Sequence, residues 1–287
     1  MAPVALAKLA ARLRCPSCGR PLEVTADALV CASGHSFDIA RQGYVALSRS
    51  HVKRATGDTP AMVAAREAFL AAGHYRPIAR ALAIAAGYVL DADGQTESCV
   101  VDLGAGTGYQ LTVVLDHCRR AWGLALDASR PALRRAARAH PRMAAIACDA
   151  WQELPLADAS ADLVINSFAP RNGAEITRVL RPRGALIVVR PAPAHLHQLS
   201  SVLGMLAIDP RKGERLHAQL SAGLSTESAT ELEFDMELTR ADVEALVMMG
   251  PSAHHVAAEE LARHLRGLAD SATVTASVIV ETFSRRR

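Results

Sequence analysis

The sequence predicts an α/β protein, in which a doubly wound parallel sheet follows a small N-terminal module. Three observations predict this arrangement. Short apolar runs alternate with amphipathic stretches from residue 99 onward, a glycine-rich loop follows the first run, and a cluster of Cys and His residues precedes them all. Strand, helix and strand in series form a parallel sheet, and ligands bind at the carboxyl ends of its strands. The 287 residues, 50% of them hydrophobic, provide enough core for both units.

The N-terminal module is predicted from the spacing of three cysteines and one histidine. Two residues separate Cys15 from Cys18, and twelve residues separate Cys18 from Cys31. His35 follows Cys31 with three residues between them. Zn²⁺ binds four such thiolate and imidazole ligands in a closed tetrahedral site. Because protein ligands fill every position, we expect a structural zinc that folds the module and takes no part in catalysis. Unrelated thiols around a core histidine, or a redox Cys-x-x-Cys, are the alternatives.

The charge of the chain is concentrated in this module. Residues 1–57 carry eight Lys and Arg against three acidic residues, so the segment is +5 while the whole chain is +3. This distribution predicts a phosphate-bearing partner, with a merely solvated basic surface as the alternative. We expect two domains, a zinc-binding recognition module at residues 1–57 and a larger domain at residues 58–287.

The other cysteines and the N-terminal residues indicate a cytoplasmic protein. Cys99, Cys118 and Cys148 are isolated in apolar segments, as expected of free thiols in a reducing compartment. The apolar runs of residues 1–13 are too short for a secretory core or a membrane span, so we expect an unfolded or helical leader and no membrane partner.

The elements of the larger domain follow in chain order. A helical stretch is predicted from Thr59 to Leu90, with breaks near Gly73 and Pro77. Strands are predicted at residues 99–103, 121–126, 143–147, 161–166 and 185–189, with helices at 110–117, 131–139 and 174–180 between them. A strand at 231–238, a helix opening at Thr239, a helix near 257–268 and a strand at 273–283 finish the sheet with an antiparallel edge pair.

The glycine loop favours a cofactor without phosphates. Gly104, Gly106 and Gly108 are spaced two and two, whereas a dinucleotide fingerprint has two-three spacing that brings a pyrophosphate onto the next helix. The bare backbone near Asp102 and Gly104 suits the ammonium and carboxylate of a methionine moiety.

Two further acidic residues end the next two apolar runs. Asp127 follows the glycine loop by about 20 residues, where a carboxylate accepts hydrogen bonds from two ribose hydroxyls. Asp149 ends the third run and is placed to accept from an adenine or from neighbouring backbone, although a solvated turn residue would look the same.

These segments resemble class I (Rossmann-like) S-adenosylmethionine (SAM)-dependent methyltransferases. The strings that carry the resemblance are VVDLGAGTG at 100–108, LALDAS at 124–129, ACDAW at 147–151 and VLRPRGALIVV at 179–189. The N-terminal strings resemble the RlmA family: CPSCGRPL at 15–22, CASGHSFDIARQGYVAL at 31–47 and GDTPAMVAAREAFLAAGHYRPI at 57–78. FAPRN at 168–172 and MGPSAHH at 249–255 look more like its RlmA(II)/TlrB branch.

The resemblance implies a reaction and its partners. Members of the RlmA family methylate N1 of a guanine in hairpin 35 of 23S ribosomal RNA, and those of the TlrB branch can contribute to resistance to tylosin-type macrolides. The implied partners are therefore SAM, one structural Zn²⁺, the hairpin 35 loop of 23S rRNA, and a second copy of the chain in a homodimer.

The resemblance also implies roles for individual residues. It places zinc on Cys15, Cys18, Cys31 and His35, and adds Tyr75 and His195 to the cofactor contacts. The expected cofactor-binding residues are then Tyr75, Asp102, Gly104, Gly106, Thr107, Gly108, Asp127, Asp149 and His195. Ala105 stands where enterobacterial relatives have a cysteine, a change that puts no function in doubt.

The catalytic residues are a hypothesis from the same strings. Guanine N1 carries a proton that must be accepted, or the charge that develops at O6 must be stabilised. We expect Asp58 as the acceptor, with Arg66, Arg171 and Asn172 near O6. Phe168 and Pro170 follow the fourth strand, where substrate is presented; Phe168 either stacks on a flipped base or packs in the core.

Two other classes of function fit parts of the sequence. One is a methyltransferase of a small molecule or protein, in which the zinc module is a lid or dimer element. The other is a non-catalytic zinc-dependent RNA-binding protein that binds SAM as a structural or sensing ligand.

Overall fold

The computed structural model describes residues 2–48, 57–92, 97–199, 211–250, 253, 258–267 and 270–286. The predicted basic residues Arg49, Lys53 and Arg54, and residues 251, 252, 254 and 255 of the MGPSAHH string, lie outside the described residues.

The first 48 residues form the zinc module and one strand of the main sheet. Their elements are α1 (Val4–Leu9), a 3₁₀ turn (Ala10–Arg12), β1 (Leu22–Val24), β2 (Ala28–Cys31), β3 (Ser36–Asp38) and β4 (Val45–Ala46). Strands β1, β2 and β3 make a small antiparallel sheet in that order.

The larger part alternates helices and strands as predicted. Its elements are α2 (Pro60–Ala71), α3 (Arg76–Ala92), β5 (Ser98–Leu103), α4 (Tyr109–His117), β6 (Ala121–Asp127), α5 (Arg130–Ala139), β7 (Met143–Ala147), β8 (Ala161–Ser167), α6 (Gly173–Val179), β9 (Leu180–Pro191), α7 (Lys212–Leu220), β10 (Leu224–Thr239), α8 (Arg240–Met248), α9 (Ala258–Arg266) and β11 (Ser271–Arg285).

The main sheet has eight strands in the order β10-β11-β9-β8-β5-β6-β7-β4. The strands from β9 to β4 are parallel, and β11 and β10 add the predicted antiparallel edge pair. The chain runs outward from β5 in both directions, first through β6 and β7 and then through β8 and β9. This reversal of order opens a crevice at the carboxyl ends of β5 and β8, where open α/β sheets bind their ligands.

Both faces of the sheet are buried, which explains the continuous apolar runs in the sequence. All six residues of β5 are buried. One face packs against α3, α4 and α5 through residues such as Leu82 and Leu111. The other face packs against α1, α6 and the zinc module, and its apolar cluster includes Leu6, Leu13 and Leu29.

The N-terminal residues form a docked helix, the helical one of the two alternatives expected. Leu6 and Leu9 are buried on the sheet, and the following Leu13 bridges to Leu156 in antiparallel fashion. None of the helices that the structure describes is both long and apolar enough to cross a membrane.

Two elements differ from those predicted: the helix α7 (Lys212–Leu220) was not predicted, and β10 is longer than expected. The sequence predicts it from residue 231, whereas it begins at Leu224 and pairs with β11 almost throughout. Residues 226–230 are all exposed and, apart from Ala229, polar, so their ladder hydrogen bonds with β11, not a hydrophobic pattern, hold them in the strand.

Truncation of α1 side chains tests whether the helix is part of the core. Leu6 is 1% exposed and Val4, in the same helix, is 68% exposed. We expect Leu6→Ala to lower the free energy of unfolding by about 2–5 kcal/mol, because it leaves a core cavity. The matched Val4→Ala should change it by less than about 0.5 kcal/mol. Urea denaturation of both variants measures this, and equal losses would contradict the docked helix.

Candidate active site and zinc site

The four predicted zinc ligands meet at one point. One ligand atom from each of Cys15, Cys18, Cys31 and His35 lies within 4.8 Å of the others. The Sγ atoms of Cys18 and Cys31 are 3.7 Å apart, and His35 Nδ1 is 3.4 Å from Cys31 Sγ and 3.6 Å from Cys15 Sγ. Four ligands around a tetrahedral zinc at the usual bond lengths of about 2.0–2.3 Å have such separations. The residues therefore fit the ion.

Two tight turns bring the ligands together. Gly19 and Gly34 have φ values of 71° and 81°, which residues with a Cβ rarely adopt. The first turn closes through the Gly19 N–H donating to the Cys15 carbonyl at 2.8 Å, and the second through the Gly34 N–H donating to the Cys31 carbonyl at 2.9 Å. A hydrogen bond from the Arg20 backbone lowers the pKa of Cys18 to about 6, which favours the thiolate that zinc binds.

The glycine loop joins β5 to α4 and lies against β6. Gly104, Gly106 and Gly108 all have positive φ values. The Gly104 N–H donates to the Leu126 carbonyl at 2.8 Å, which fixes the loop on the neighbouring strand. A Cβ on Gly104 would collide with the Ala169 side chain. The loop therefore exposes bare backbone at the crevice, as a ligand that approaches the main chain requires.

Asp127 binds this loop to the start of α5. Its Oδ2 accepts from the Gly106 N–H at 2.8 Å and its Oδ1 from the Ser129 N–H at 2.7 Å. Burial raises the pKa of Asp127, although these two backbone donors oppose that shift. A carboxylate so oriented retains lone pairs for the two ribose hydroxyls expected from the sequence.

Asp102 is a buried acid with an unpaired oxygen. It is 2% exposed, and its Oδ2 has no hydrogen-bond partner among the residues that the structure describes. Burial, and then repulsion from Asp127, raise its pKa to about 8. A buried unpaired carboxyl is costly, and an ammonium group at Oδ2 would supply the missing partner. The site therefore fits the methionine end of SAM.

Asp149 lies in a large cleft between β7 and the zinc module. The cleft has a volume of about 780 Å³, and Asp149 and Cys148 line it on one side while Cys15 and Pro16 line it on the other. The Asp149 Oδ1 accepts from the Trp151 N–H at 3.0 Å. The cleft thus continues from the predicted adenosine end of the cofactor site to the zinc knuckle.

Tyr75, Phe168 and His195 form an aromatic cluster at the crevice. The ring centroid of Phe168 lies 5.9 Å from that of Tyr75, with an interplanar angle of 22°, and 5.7 Å from that of His195, with an interplanar angle of 25°. Phe168 is 40% exposed and has a φ of 53°. Left-handed backbone is strained for a bulky residue, and such strain concentrates at functional sites. The partial exposure gives Phe168 a face that the core does not cover.

Hydrogen bonds assign the tautomer of His195. The Ser277 N–H donates to His195 Nδ1 at 3.2 Å, so the neutral ring carries its proton on Nε2. Nε2 lies 3.3 Å from the Tyr75 hydroxyl oxygen and donates to it. Burial raises the pKa of Tyr75, which keeps its hydroxyl protonated and able to donate in turn.

Asp58 and Arg66 form an ion pair beside the glycine loop. Asp58 Oδ2 accepts from Arg66 Nη2 at 2.7 Å and from Nε at 3.2 Å, and Arg66 also donates to the Met249 carbonyl at 2.7 Å. The Asp58 carbonyl accepts from the Ser129 hydroxyl at 2.7 Å. A Cβ on Gly106 would lie 3.5 Å from Arg66 Cδ. The Asp58–Arg66 ion pair therefore lies against the glycine loop at Gly106.

The other predicted substrate and catalytic residues occupy the loop between β8 and α6. Pro170 is exposed, and its carbonyl accepts from Asn166. Arg171 donates to the Ala169 carbonyl at 3.2 Å, and burial lowers the pKa of Arg171. Asn172 is the N-cap of α6, where its Oδ1 accepts from the Glu175 N–H at 3.4 Å.

Thr107 lies apart from these groups. It is buried and, with Tyr109 and Thr112, lines a shallow second pocket of about 490 Å³ against α2 and α5. The structure thus brings the remaining predicted cofactor residues around the crevice and the cleft, with Thr107 on the opposite flank of the glycine loop.

Asn166 is a residue of the site that the sequence analysis missed. It is fully buried, and its Nδ2 donates to the Leu103 carbonyl at 2.9 Å and the Pro170 carbonyl at 3.0 Å. These bonds join the end of β5 to the loop that carries Phe168. The available signal was an amide next to the buried apolar run Leu163–Ile165, because a buried amide needs hydrogen-bond partners.

Comparison with known families agrees with both sites. The model described as "RlmA, N-terminal", a zinc ribbon, matches residues 13–55, and the model described as "Methyltransferase domain" matches residues 100–184. A SAM-dependent methyltransferase from Geobacter sulfurreducens, solved with S-adenosyl-L-homocysteine, has a TM-score of 0.51 at 18% identity. The match covers 80% of this chain and 100% of that chain, and it shows the fold alone.

Two relatives are similar over nearly the whole length. One comes from Micromonospora griseorubida, and its name describes a 23S rRNA (guanine-N(1)-)-methyltransferase. The two sequences are 50% identical, and the match covers 93% of this chain and 95% of the relative. The other, named 23S rRNA (guanine(748)-N(1))-methyltransferase, comes from Streptomyces fradiae; it is 45% identical, covering 93% of this chain and 94% of the relative.

The fold, the glycine-loop site and the Cys₃His cluster define a class I SAM-dependent methyltransferase with a structural zinc ribbon. Within that class, the chain belongs to the RlmA family of 23S rRNA (guanine-N(1)-)-methyltransferases. The predicted fold class, family and two cofactors are confirmed.

Metal analysis tests the zinc site. The protein should contain one zinc ion per chain, and Cys18→Ser should lose it because three remaining ligands leave the tetrahedral site open. Cys118→Ser should retain the ion, since Cys118 caps α4 outside the cluster. Elemental analysis after dialysis measures both variants. Equal zinc content in the two variants would contradict the ligand set.

Ligand affinity should depend on pH through Asp102. Below pH 8 its carboxyl is protonated in the free enzyme, because burial raises its pKa to about 8. An ammonium at Oδ2 stabilises the carboxylate, so binding expels the proton, and affinity rises with pH and levels off above about 8. We expect up to about a tenfold gain per pH unit below that value.

Calorimetric titration with S-adenosylhomocysteine between pH 6 and 8 measures this dependence. Asp102→Asn keeps the shape of the side chain without its charge and should remove most of the slope. The same Kd at pH 6 and pH 8 in the unaltered protein would refute the role of Asp102.

Proposed function

We propose that this enzyme transfers the methyl group of SAM to N1 of a guanine in the hairpin 35 loop of 23S rRNA. The observation that carries the proposal is the aromatic cluster of Tyr75, Phe168 and His195 at the crevice beside the glycine loop. Phe168, the exposed member of the cluster, offers one ring face at the place where class I enzymes present substrate, and a flipped base can stack on such a face. The name of the Streptomyces fradiae relative supports guanine 748, or its equivalent, as the target.

The zinc module supports rRNA as the substrate. A small molecule needs no basic zinc ribbon, and the residues up to 57 carry most of the excess positive charge. We therefore propose residues 1–57 as the RNA-recognition module and residues 58–287 as the methyltransferase domain. The reaction then takes place in the cytoplasm, and a homodimer presents two such modules to the RNA.

The catalytic roles follow from the position of each group. Bound SAM supplies an electrophilic methyl group, so the protein must orient guanine N1, exclude water and remove one proton. We propose Asp58 as the proton acceptor and Arg66, Arg171 and Asn172 as the groups near O6. The ion pair with Arg66 orients Asp58 over the glycine loop. Arg171, whose pKa burial lowers, offers a partly desolvated cation, which stabilises developing negative charge more strongly than a solvated one.

The Tyr75 hydroxyl has a separate role in this proposal. Because His195 donates to its oxygen, the Tyr75 proton is directed elsewhere, and we assign it to the carboxylate of the methionine moiety. Asp127 and Asp149 complete the proposed cofactor contacts, whereas Thr107, on the opposite flank of the glycine loop, and Gly108, packed against Met143, support the loop from behind.

Methyl transfer to unmodified rRNA tests the proposal. We expect label from SAM in 23S rRNA and a primer-extension stop at one guanine, because an N1-methyl group blocks Watson–Crick pairing. Asp58→Ala should lower kcat by about 10²–10⁴-fold, the usual contribution of a general base. Glu67→Ala is the matched control, since Glu67 pairs with Arg135 at the surface.

Each outcome separates the competing functions. Label in protein or in a small molecule, with unlabelled rRNA, would refute RNA as the substrate and leave a methyltransferase. Tight RNA binding without turnover would indicate the non-catalytic RNA-binding protein. If Asp58→Ala retains kcat at saturating RNA and SAM, another group accepts the proton. Tylosin susceptibility of a host that expresses the enzyme, compared with the Asp102→Ala variant, tests the proposed link to resistance.

A further inference from the structure

Trp151 is a large aromatic residue on the rim of the active site that no role described above uses. It lies in the loop after β7, and 58% of it is exposed. A single exposed apolar residue is common on protein surfaces, so exposure alone carries no inference. The position of Trp151 relative to the site is what distinguishes it.

The backbone of Trp151 is held from two sides. Its N–H donates to Asp149 Oδ1 at 3.0 Å, and its carbonyl accepts from Asn172 Nδ2 at 3.4 Å. Asp149 belongs to the proposed adenosine end of the cofactor site, and Asn172 ends the loop that begins with Phe168. The backbone that carries the indole is therefore held between the proposed cofactor site and the loop that begins with Phe168, and the side chain is exposed.

The cleft that begins at Asp149 is lined by side chains of both charges, the arginines Arg14, Arg130 and Arg178 and the acids Asp149, Glu153 and Asp158. Arg14 and Arg130 line the cleft of about 780 Å³ that separates the adenosine end from the zinc knuckle. Arg14 donates to the backbone carbonyls of Ala11 and Leu13, at 3.2 Å and 2.9 Å, and these two bonds fix the position of its guanidinium group. Arg130 is exposed at the start of α5. Arg178, also in the cleft, is engaged by Glu175 and Asp158.

We propose that Trp151 is an RNA-binding residue whose indole stacks on a base next to the methylated guanine. Arg14 and Arg130 contact the phosphates of the same strand as it follows the cleft toward the zinc module. An aromatic side chain on which a base stacks, with cationic side chains placed along the backbone of the same strand, is an arrangement by which proteins hold single-stranded nucleic acid. The inference rests on the proposed function, because it names further contacts with the same RNA substrate.

Steady-state kinetics with RNA tests the stacking contact. Trp151→Ala should raise KM for a hairpin 35 transcript by about tenfold, the usual order for loss of one stacked base. Values of kcat and of Kd for S-adenosylhomocysteine should stay within about twofold of the unaltered enzyme, and Trp151→Phe should restore most of the affinity for RNA. Tyr88→Ala is the matched control, because Tyr88 is an aromatic residue 77% exposed on α3.

Fluorescence gives a readout that a merely structural role would not change. The chain has two tryptophans, so Trp122→Phe leaves Trp151 as the sole indole. With S-adenosylhomocysteine saturating, addition of the hairpin should quench Trp151 emission with the Kd of RNA binding. A heteroduplex without an unpaired loop should quench much less.

Three results would overturn the inference. Unchanged KM in Trp151→Ala, or emission that RNA does not alter, would show that no base stacks there. A raised Kd for S-adenosylhomocysteine without RNA would assign Trp151 to the cofactor instead. The unaltered enzyme is assayed first on the same hairpin. Failure of that assay would refute the proposed function and this inference together, whereas normal turnover with an unaffected variant refutes the inference alone.

Discussion

The cofactor site depends on one carboxylate, that of Asp127, which holds three separate segments of the chain. Its two oxygens accept from Gly106 in the glycine loop and from Ser129 at the start of α5. The hydroxyl of Ser129 caps α5 and also binds the carbonyl of Asp58, which places the Asp58 ion pair over the same loop. Both donors to the carboxylate are backbone N–H groups, and they oppose the rise in the Asp127 pKa that burial causes. The same network brings Asp127 close enough to Asp102 to raise the pKa of that second acid.

The sequence was sufficient to predict the parallel sheet and its cofactor loops. Strands β5 and β8 are covered on both faces, so most of their residues are apolar, and the buried polar exceptions include Asp102, Asp162 and Asn166. The helices of the chain carry clear breaks or caps at Gly73, Ser129 and Thr239. The zinc ligands were equally predictable, because tetrahedral coordination imposes a spacing on the chain. In these segments local pattern and tertiary environment point to the same structure.

Contacts between distant segments could not be predicted in this way. The contact of Tyr75 with Phe168 and His195 depends on three loops that share no periodic pattern. Only the family resemblance indicated Tyr75 and His195 as cofactor contacts. Asn166 and its two carbonyl partners are likewise set by tertiary packing. The strained backbone of Phe168 has no signal in the sequence, because any residue type can be forced into that conformation by its surroundings.

The junction of the zinc module with the main sheet has a consequence for substrate binding. The Arg14 N–H donates to the Pro155 carbonyl at 3.0 Å, the Ala157 N–H donates to the Arg12 carbonyl at 2.8 Å, and β4 extends the sheet beside β7. Apolar residues of the module share one cluster with the sheet face beneath it. Cys15 follows this junction directly, so the zinc knuckle stands at a fixed distance from the loop after β7. A substrate that contacts both the zinc module and Phe168 would therefore be held with a defined spacing between the two.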